Sequence, residues 1–159
     1  MRIGFGYDSH RFTEEPKPLV LGGVGFEGEK GLKAHSDGDV VIHAIIDALL
    51  GAMAKGNIGS HFPDTDERWK GADSTKLLGA VVEEMEQGNF NLGNLDVTII
   101  CERPKIGPKV EAIVDRLSAI LHAEKNRISI KGKTNEKMDD VGAGIGIEVH
   151  AVCLLEEGK

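Results

Sequence analysis

Arg2–His10, with the sequence RIGFGYDSH, lies near the start of the chain. Its pattern predicts a strand over residues 2–12. Side chains at alternate positions of a strand project from the same face, so the Asp8 carboxylate and the His10 imidazole can converge on one point. A second imidazole, His43, lies in an apolar run where it needs a polar partner. Asp, His and His form a ligand set that suits zinc with an open fourth position. Taken alone, the pair Asp8 and His10 also fits a strand whose polar side chains are merely solvated.

Composition narrows the class of protein. With 159 residues, 40% hydrophobic and 28% charged, the chain is typical of one globular domain over residues 1–159. A formal net charge of −7 and the absence of a basic stripe exclude nucleic acid as a partner. No membrane partner is expected, since no apolar stretch is long enough to span a bilayer. Cys101 and Cys153 lie in apolar strand-like runs and indicate buried thiols, so we expect the cytoplasm, or a plastid only if a leader has been removed.

The rest of the chain alternates between helical and strand-like patterns. Ser36 and Asp37 are favoured N-cap residues and are expected to begin a helix over about 38–54. Residues 55–72 break the helical pattern and predict a long loop of the kind that is usually functional or mobile. The remaining elements are expected as strands over 18–24, 95–101, 128–133 and 145–155, and as helices over 73–87 and 105–123.

This order of elements favours an α/β (α+β) fold in which helices pack on one face of a single mixed sheet. The last strand should bury one face in the core, namely Ile145, Ile147, Val149, Ala151, Cys153 and Leu155. Its other face is of mixed character, with Gly146, Glu148, His150, Val152 and Leu154. That mixture fits burial against another subunit, and it also fits an exposed face with two stray aliphatic residues.

Three further features suggest anion and cation binding. His35 directly precedes the expected helix N-terminus, where free N–H groups and the helix dipole favour phosphate. Asp47 lies one turn after His43 and could accept the second N–H of that imidazole, although an ordinary solvated carboxylate fits as well. Glu136, beside Thr134 at the end of a strand, could hold a hard cation such as Mg²⁺, although the segment also fits a plain turn.

Together these residues resemble a known family, the 2-C-methyl-D-erythritol 2,4-cyclodiphosphate synthases. The resemblance covers nearly the whole chain, and its most specific blocks are His35–Asp39 (HSDGD) and Phe62–Asp66 (FPDTD). Further matching blocks are Gly6–His10, Leu32–Ala34, Asp47–Ala52, Ile58–His61, Lys70–Ser74, Asn94–Ile100 and Lys133–Lys137.

The resemblance implies a phosphorus–oxygen lyase of isoprenoid precursor biosynthesis, in the non-mevalonate pathway. Its substrate would be 4-diphosphocytidyl-2-C-methyl-D-erythritol 2-phosphate, cyclised with release of CMP. It implies zinc on Asp8, His10 and His43, a second ion (Mg²⁺ or Mn²⁺) on Glu136, and His35 and Thr134 as catalytic donors. It also implies a homotrimer whose sheets face the threefold axis, with active sites between subunits.

The resemblance assigns the remaining site residues to two pockets. Substrate binding is implied for Ser9, Ser36, Asn57, Ile58, Gly59, Phe62, Pro63, Asp64, Thr65, Asp66, Lys133 and Asn135. A cytidine pocket on the adjacent subunit is implied for Cys101, Glu102, Arg103, Pro104, Lys105, Ile106 and Gly107.

The chain also departs from the family. Asn57 replaces an aspartate found in many relatives, and His150 and Ile145 replace acidic residues. Asp140 and Ala143 stand where many bacterial relatives carry Phe and Arg, the arginine helping to hold an isoprenoid diphosphate in a central cavity. The resemblance therefore does not carry over the binding of that ligand.

Two other functions would use the same residues differently. A zinc phosphodiesterase would hydrolyse the diphosphate with a metal-bound water, although no general base is evident beside the ligands. A trimeric binding module would not need His35, His43 or Glu136, so replacing them by alanine should leave ligand affinity nearly intact.

Overall fold

The computed structural model describes residues 1–158 and is built on one four-stranded sheet with the strand order β1-β6-β4-β5. Strand β4 pairs parallel with β5 and antiparallel with β6, and β1 pairs antiparallel with β6, so the sheet is mixed, as predicted. The four strands are β1 (Arg2–Arg11), β4 (Phe90–Ile100), β5 (Ile128–Lys133) and β6 (Gly146–Glu157). A separate hairpin pairs β2 (Leu19–Leu21) with β3 (Val24–Phe26).

The long helices cover one face of this sheet. One of them contacts both β1 and β6, another contacts β5, and the third lies between these two. The helices are α1 (Val40–Ala52), α2 (Ile58–His61), α3 (Ser74–Gln87), α4 (Val110–Leu121) and α5 (Asp139–Gly142), with single turns of 3₁₀ helix at Glu67–Trp69, Gly107–Lys109 and Lys125–Arg127. The result is a mixed α/β fold with one continuous core between sheet and helices.

Two glycines bring β1 unusually close to α1. A β-carbon on Gly4 or Gly6 would collide with the carbonyl oxygen of Ala48 or Ala44 on the helix. Because alternate residues of a strand share a face, Asp8 and His10 continue the face that Gly4 and Gly6 turn toward the helix. The strand thus presents these two ligating side chains to α1.

Several predicted boundaries were wrong. The segment 18–24 is a hairpin rather than one strand, because Gly22 and Gly23 adopt positive φ angles of 61° and 74° and reverse the chain. Helix α1 is capped by Asp39, not by Ser36 or Asp37, since Asp39 accepts the N–H of Ile42 at 3.1 Å. The predicted loop over 55–72 contains α2 and a 3₁₀ turn.

The sheet face opposite the helices carries large exposed apolar side chains. Phe5 and Val152 are 59% and 44% exposed, and Ile3 and Tyr7 lie on the same strand face. On β6, the predicted core face is buried from Ile147 to Leu155, and the mixed opposite face is exposed or half-buried from Glu148 onward, as expected. Within residues 1–158, no helix has the length and apolar character needed to cross a membrane.

Candidate active site

Asp8, His10 and His43 form one cluster, called here the metal cluster. Asp8 Oδ2 lies 3.0 Å from His10 Nε2 and 3.0 Å from His43 Nδ1, and the two ring nitrogens are 3.3 Å apart. The first two residues come from β1 and the third from the buried face of α1. The structure therefore confirms that the three predicted ligands converge.

The spacing of these three atoms fits a zinc ion. Tetrahedral zinc with bonds of about 2.0–2.1 Å to nitrogen or oxygen separates neighbouring ligand atoms by about 3.3 Å. The observed separations of 3.0–3.3 Å match one triangular face of such a tetrahedron. Three protein ligands leave the fourth position open, which is typical of catalytic rather than structural zinc.

The electrostatics of the cluster favour an ionised Asp8. Burial alone would raise the pKa of this carboxyl group, but hydrogen bonds from His10 and His43 outweigh that effect and hold the pKa at about 2. Asp8 is therefore a carboxylate at neutral pH, as a metal ligand must be.

The second nitrogen of His43 has partners other than the predicted one. His43 Nε2 lies 3.0 Å from Ser74 Oγ and 3.1 Å from Ser36 Oγ. Asp47 instead accepts the N–H of Ile58 at 2.7 Å and so fixes the start of α2. The prediction of Asp47 as the partner of His43 was wrong, because the segment 57–61 returns along the chain and takes up this carboxylate.

A cavity of about 330 Å³ adjoins the metal cluster. The edge-to-face pair of Phe62 and Trp69, with ring centroids 5.1 Å apart, stands at its wall. His35 Nε2 is buried and has no hydrogen-bond partner within residues 1–158. Predicted site residues that line this cavity together are His35, Ser36, Ile58, Gly59, Phe62 and Asp64.

Other predicted substrate residues are engaged elsewhere. Ser9 faces the opposite side of β1 from Asp8 and lines a different cavity, so its role in substrate binding stays a prediction. Asn57 caps α2 through the N–H of Ser60, and Asp66 is paired with Arg68. Pro63 and Thr65 belong to the same segment but do not line the cavity near the metal cluster.

Four residues of the site could not be picked out from the sequence. Ala34, Trp69 and Leu77 line the cavity, and Ser74 lies behind His43. The sequence indicated only that Ser74 lies at the start of a helix. Nothing in its spacing indicated that Ser74 would contact a histidine 31 positions earlier.

A second group of predicted residues lies at the β5 edge of the sheet and is called here the edge group. It consists of the segment 101–107 and the turn 133–137, and a cavity of about 220 Å³ lies between them. The lining includes Cys101, Glu102, Pro104, Lys105, Ile106, Gly107, Lys133 and Thr134, all predicted.

Individual residues of the edge group serve different purposes. Burial raises the pKa of Cys101 to about 11, so its side chain is an inert thiol. Arg103 pairs with Glu29 and lines a neighbouring cavity rather than the small one, so its place in a cytidine pocket stays a prediction. Glu102 accepts the N–H of Asn135 at 3.0 Å, so its carboxylate holds the turn.

The turn itself projects two oxygen donors. Thr134 Oγ1 donates to Glu136 Oε1 at 3.3 Å, and both side chains are exposed. Glu136 adopts a positive φ of 50°, a conformation uncommon for residues other than glycine. Carboxylate and hydroxyl oxygens are ligands suited to Mg²⁺ or Mn²⁺.

The metal cluster and the edge group lie at opposite edges of the same sheet. Asp8 pairs with Val149, Val149 with Ile99, and Ile99 with Gly132. These pairings amount to three strand spacings of about 4.8 Å, or about 14 Å in all. Within one chain, the strands that carry the two groups are therefore separated by the width of the sheet.

A family model, curated proteins and solved structures all resemble this chain over nearly its whole length. The model of the YgbB family matches residues 1–156. A 2-C-methyl-D-erythritol 2,4-cyclodiphosphate synthase of Brachyspira hyodysenteriae is 52% identical over 159 residues, which is 100% of both chains. The bifunctional IspDF from Campylobacter jejuni has a TM-score of 0.94 at 36% identity, with 98% of this chain and 42% of that chain covered. A CDP complex of IspF from Plasmodium falciparum has a TM-score of 0.88 at 35% identity, with 99% and 97% covered.

Proposed function

The chain belongs to the YgbB family, and we propose that it catalyses the reaction for which its curated relatives are named, the synthesis of 2-C-methyl-D-erythritol 2,4-cyclodiphosphate. We further propose that it does so as one domain over residues 1–159. The observation that carries this proposal is the convergence of Asp8, His10 and His43 beside a cavity that His35 also lines. The substrate is 4-diphosphocytidyl-2-C-methyl-D-erythritol 2-phosphate.

The proposed reaction is an intramolecular phosphoryl transfer. An oxygen of the 2-phosphate attacks the β-phosphorus of the same molecule, the bond from that phosphorus to the cytidylate oxygen breaks, and CMP leaves. A phosphate monoester has a second pKa of about 6, so the nucleophile is already ionised at neutral pH and needs no general base. The residues of the site are therefore required to bring two anionic groups together and to stabilise the charge that moves between them.

The proposed metal ligands lie in both the metal cluster and the edge group. Zinc held by Asp8, His10 and His43, with Mg²⁺ or Mn²⁺ held by Glu136, would supply positive charge that orients the phosphates and polarises their oxygens. Asp8, with its pKa of about 2, keeps its carboxylate charged over the whole neutral range.

Hydrogen-bond donors complete the proposed binding of the phosphates. The Nε2 atom of His35 is buried without a protein partner within residues 1–158, and its side chain lines the cavity beside the metal cluster. We assign it, with Ser36, to the phosphate near the zinc site. The hydroxyl of Thr134 and the neighbouring groups of Lys133 and Asn135 serve the diphosphate from the edge group.

The segment that follows α1 would enclose the methylerythritol unit. Ile58 and Gly59 present backbone and small apolar surface to the cavity, while Phe62 and Asp64 line another part of its wall. Asn57 caps α2 and Asp66 binds Arg68, so these two residues shape the segment. We place Pro63 and Thr65 in the same role.

A homotrimer would join the two groups. The strand that leads into the edge group lies three strand spacings, about 14 Å, from the strand that carries Asp8 and His10. The exposed apolar face around Phe5 and Val152 offers the surface by which sheets of several copies would meet around a threefold axis. We propose that segment 101–107 of one subunit then forms the cytidine pocket for the metal cluster of its neighbour.

Phosphorus NMR of the purified protein with substrate, Zn²⁺ and Mg²⁺ tests the proposal. Signals of the cyclic diphosphate and of CMP are expected, and both should disappear in the variant His43→Ala. Hydrolysis to open-chain phosphates would instead indicate a metal-dependent phosphodiesterase. Intact substrate with folded, zinc-loaded protein would contradict the proposed activity.

A further inference from the structure

Behind the metal cluster, a serine and an aspartate form a chain of hydrogen bonds that ends on His43. Ser74 is fully buried, and its Oγ lies 3.0 Å from His43 Nε2. The same hydroxyl donates to Asp37 Oδ1, and the backbone N–H of Ser74 donates to Asp37 Oδ2 at 2.9 Å. Asp37 also accepts the N–H of Asp39 at 3.1 Å, which fixes the carboxylate in the turn before α1.

The direction of each hydrogen bond follows from what the groups can donate. A serine hydroxyl has one proton, and an ionised carboxylate can only accept. Since the proton of Ser74 is directed at Asp37, the Ser74 oxygen is left to accept from His43. His43 must therefore carry a proton on Nε2.

This arrangement determines which nitrogen of His43 is open to a metal. With Nε2 protonated, Nδ1 is the nitrogen that can bind a metal, and the ion would take the place of the proton that Nδ1 shares with Asp8 Oδ2 at 3.0 Å. Histidine ligands of metals usually donate their second N–H to a carboxylate or another acceptor, which fixes the ring and makes it a stronger ligand.

We propose that Asp37 and Ser74 are positioning residues, which hold the proton on His43 Nε2 and thereby set the zinc affinity of the cluster. The inference rests on the proposed zinc site and adds two residues that do not themselves touch metal or substrate. Ser36 Oγ also lies 3.1 Å from Nε2, but within residues 1–158 its hydroxyl has no carboxylate partner. The pair Asp37 and Ser74 is therefore the one that directs the proton.

Competition with a chromogenic zinc chelator tests this role without reference to catalysis. Ser74→Ala should weaken zinc binding by about 10- to 100-fold. Ser36→Ala should weaken it by less than Ser74→Ala. Thr75→Val removes the neighbouring hydroxyl at the start of α3, which bonds to Asp73 and not to His43, and it is the matched control that should bind like the wild type.

A proton NMR spectrum of the zinc-loaded enzyme supplies an independent signature. The wild type should show a downfield, slowly exchanging signal of the His43 Nε2 proton, assigned with ¹⁵N-histidine and by its loss in His43→Ala. In Ser74→Ala this proton should exchange faster or become invisible. If Ser74→Ala fails to fold, Asp37→Asn, which releases the serine proton, should show the same acceleration.

The outcomes distinguish the role of Asp37 and Ser74 from the existence of the zinc site. Equal zinc affinities of Ser74→Ala and Thr75→Val, or a larger loss in Ser36→Ala, would overturn the role of the pair while leaving the zinc site intact. Failure of the wild type to bind zinc would contradict the proposed function as well.

Discussion

The metal cluster and the edge group differ in how completely one chain builds them. Asp8, His10 and His43 are held by a strand and a buried helix, with contacts of 3.0–3.3 Å already in place. Thr134 and Glu136 lie on an exposed turn, and their mutual contact is 3.3 Å. One chain therefore contains a preformed cluster of possible metal ligands and an open edge for which we propose nucleotide binding.

This difference agrees with the ligands that we propose for the two groups. Ligands of a small ion have to agree to within a few tenths of an ångström, and packed regular elements provide that precision. Groups that meet a long, flexible diphosphate can stand on a turn, provided that another surface closes over them. We therefore expect the metal cluster to survive changes that abolish catalysis at the edge group.

The largest effect is expected from a charge in the apolar sheet face. Phe5→Glu should prevent trimer formation, because it introduces an unpaired carboxylate into the proposed interface. Activity should fall by at least about 100-fold, as for loss of a catalytic donor. Zinc content per chain should remain unchanged, since Phe5 points away from the face that carries Asp8. Light scattering measures the oligomeric state, phosphorus NMR the activity, and metal analysis the zinc content. An active monomer would show that one chain builds the whole site by itself.

Thr134→Val tests the edge group alone. Loss of one donor to a transferring phosphate should lower kcat by about 10²–10³-fold while zinc binding stays unchanged. Steady-state kinetics and chelator competition measure the two effects. Thr75→Val, which removes a hydroxyl that donates to Asp73, is the control and should behave like the wild type. A parallel loss of zinc in Thr134→Val would mean that the two groups are not independent.

Asp39, which caps the helix that carries His43, should make the stability of the fold depend on pH. Burial raises the pKa of this carboxyl from 3.8 to about 6. The backbone N–H groups of Gly23, Ile42 and Gly22 donate to the carboxylate and lower its pKa, but burial has the larger effect. A folded-state pKa above the unfolded value means that its stabilising contribution is present below pH 3.8 and is lost as the pH rises through about 6.

The free energy of unfolding of the wild type relative to Asp39→Asn should therefore decrease from pH 4 to pH 7, by up to about 3 kcal/mol. Urea denaturation at both pH values measures the difference, and Asp73→Asn at the exposed cap of α3 is the control. An increase in the relative stability of the wild type over this range would show that the sign is wrong.

The smallest effect is expected at Arg11, whose ion pair with Asp140 spans 3.3 Å between side chains that are mostly exposed. Exposed ion pairs contribute little, because solvent screens them and the side chains lose entropy. Arg11→Ala should shift Tm by less than about 2 °C. A larger shift in a calorimetric scan would mean that this pair is covered in the assembled protein.

Much of the metal cluster could be predicted from sequence. Strand alternation placed Asp8 and His10 together, and the apolar helix placed His43 in the core, because both patterns are local. The partner of Asp47 and the role of Ser74 were missed, since they depend on segments that return from about ten and thirty residues away. The cap of α1 was misplaced because Gly38, with φ of 82°, reverses the chain between the candidate caps.

The most direct test of a site built from two chains is complementation between two inactive variants. His43→Ala lacks the metal cluster and Thr134→Val lacks the edge donor, so neither parent homotrimer should be active. Random mixing of equal amounts into trimers should restore about a quarter of the wild-type sites, because one site in three of each mixed trimer joins two intact groups. Co-expression followed by phosphorus NMR measures this activity. A recovery near one quarter supports active sites shared between neighbouring chains, and mixtures no more active than their parents would contradict them.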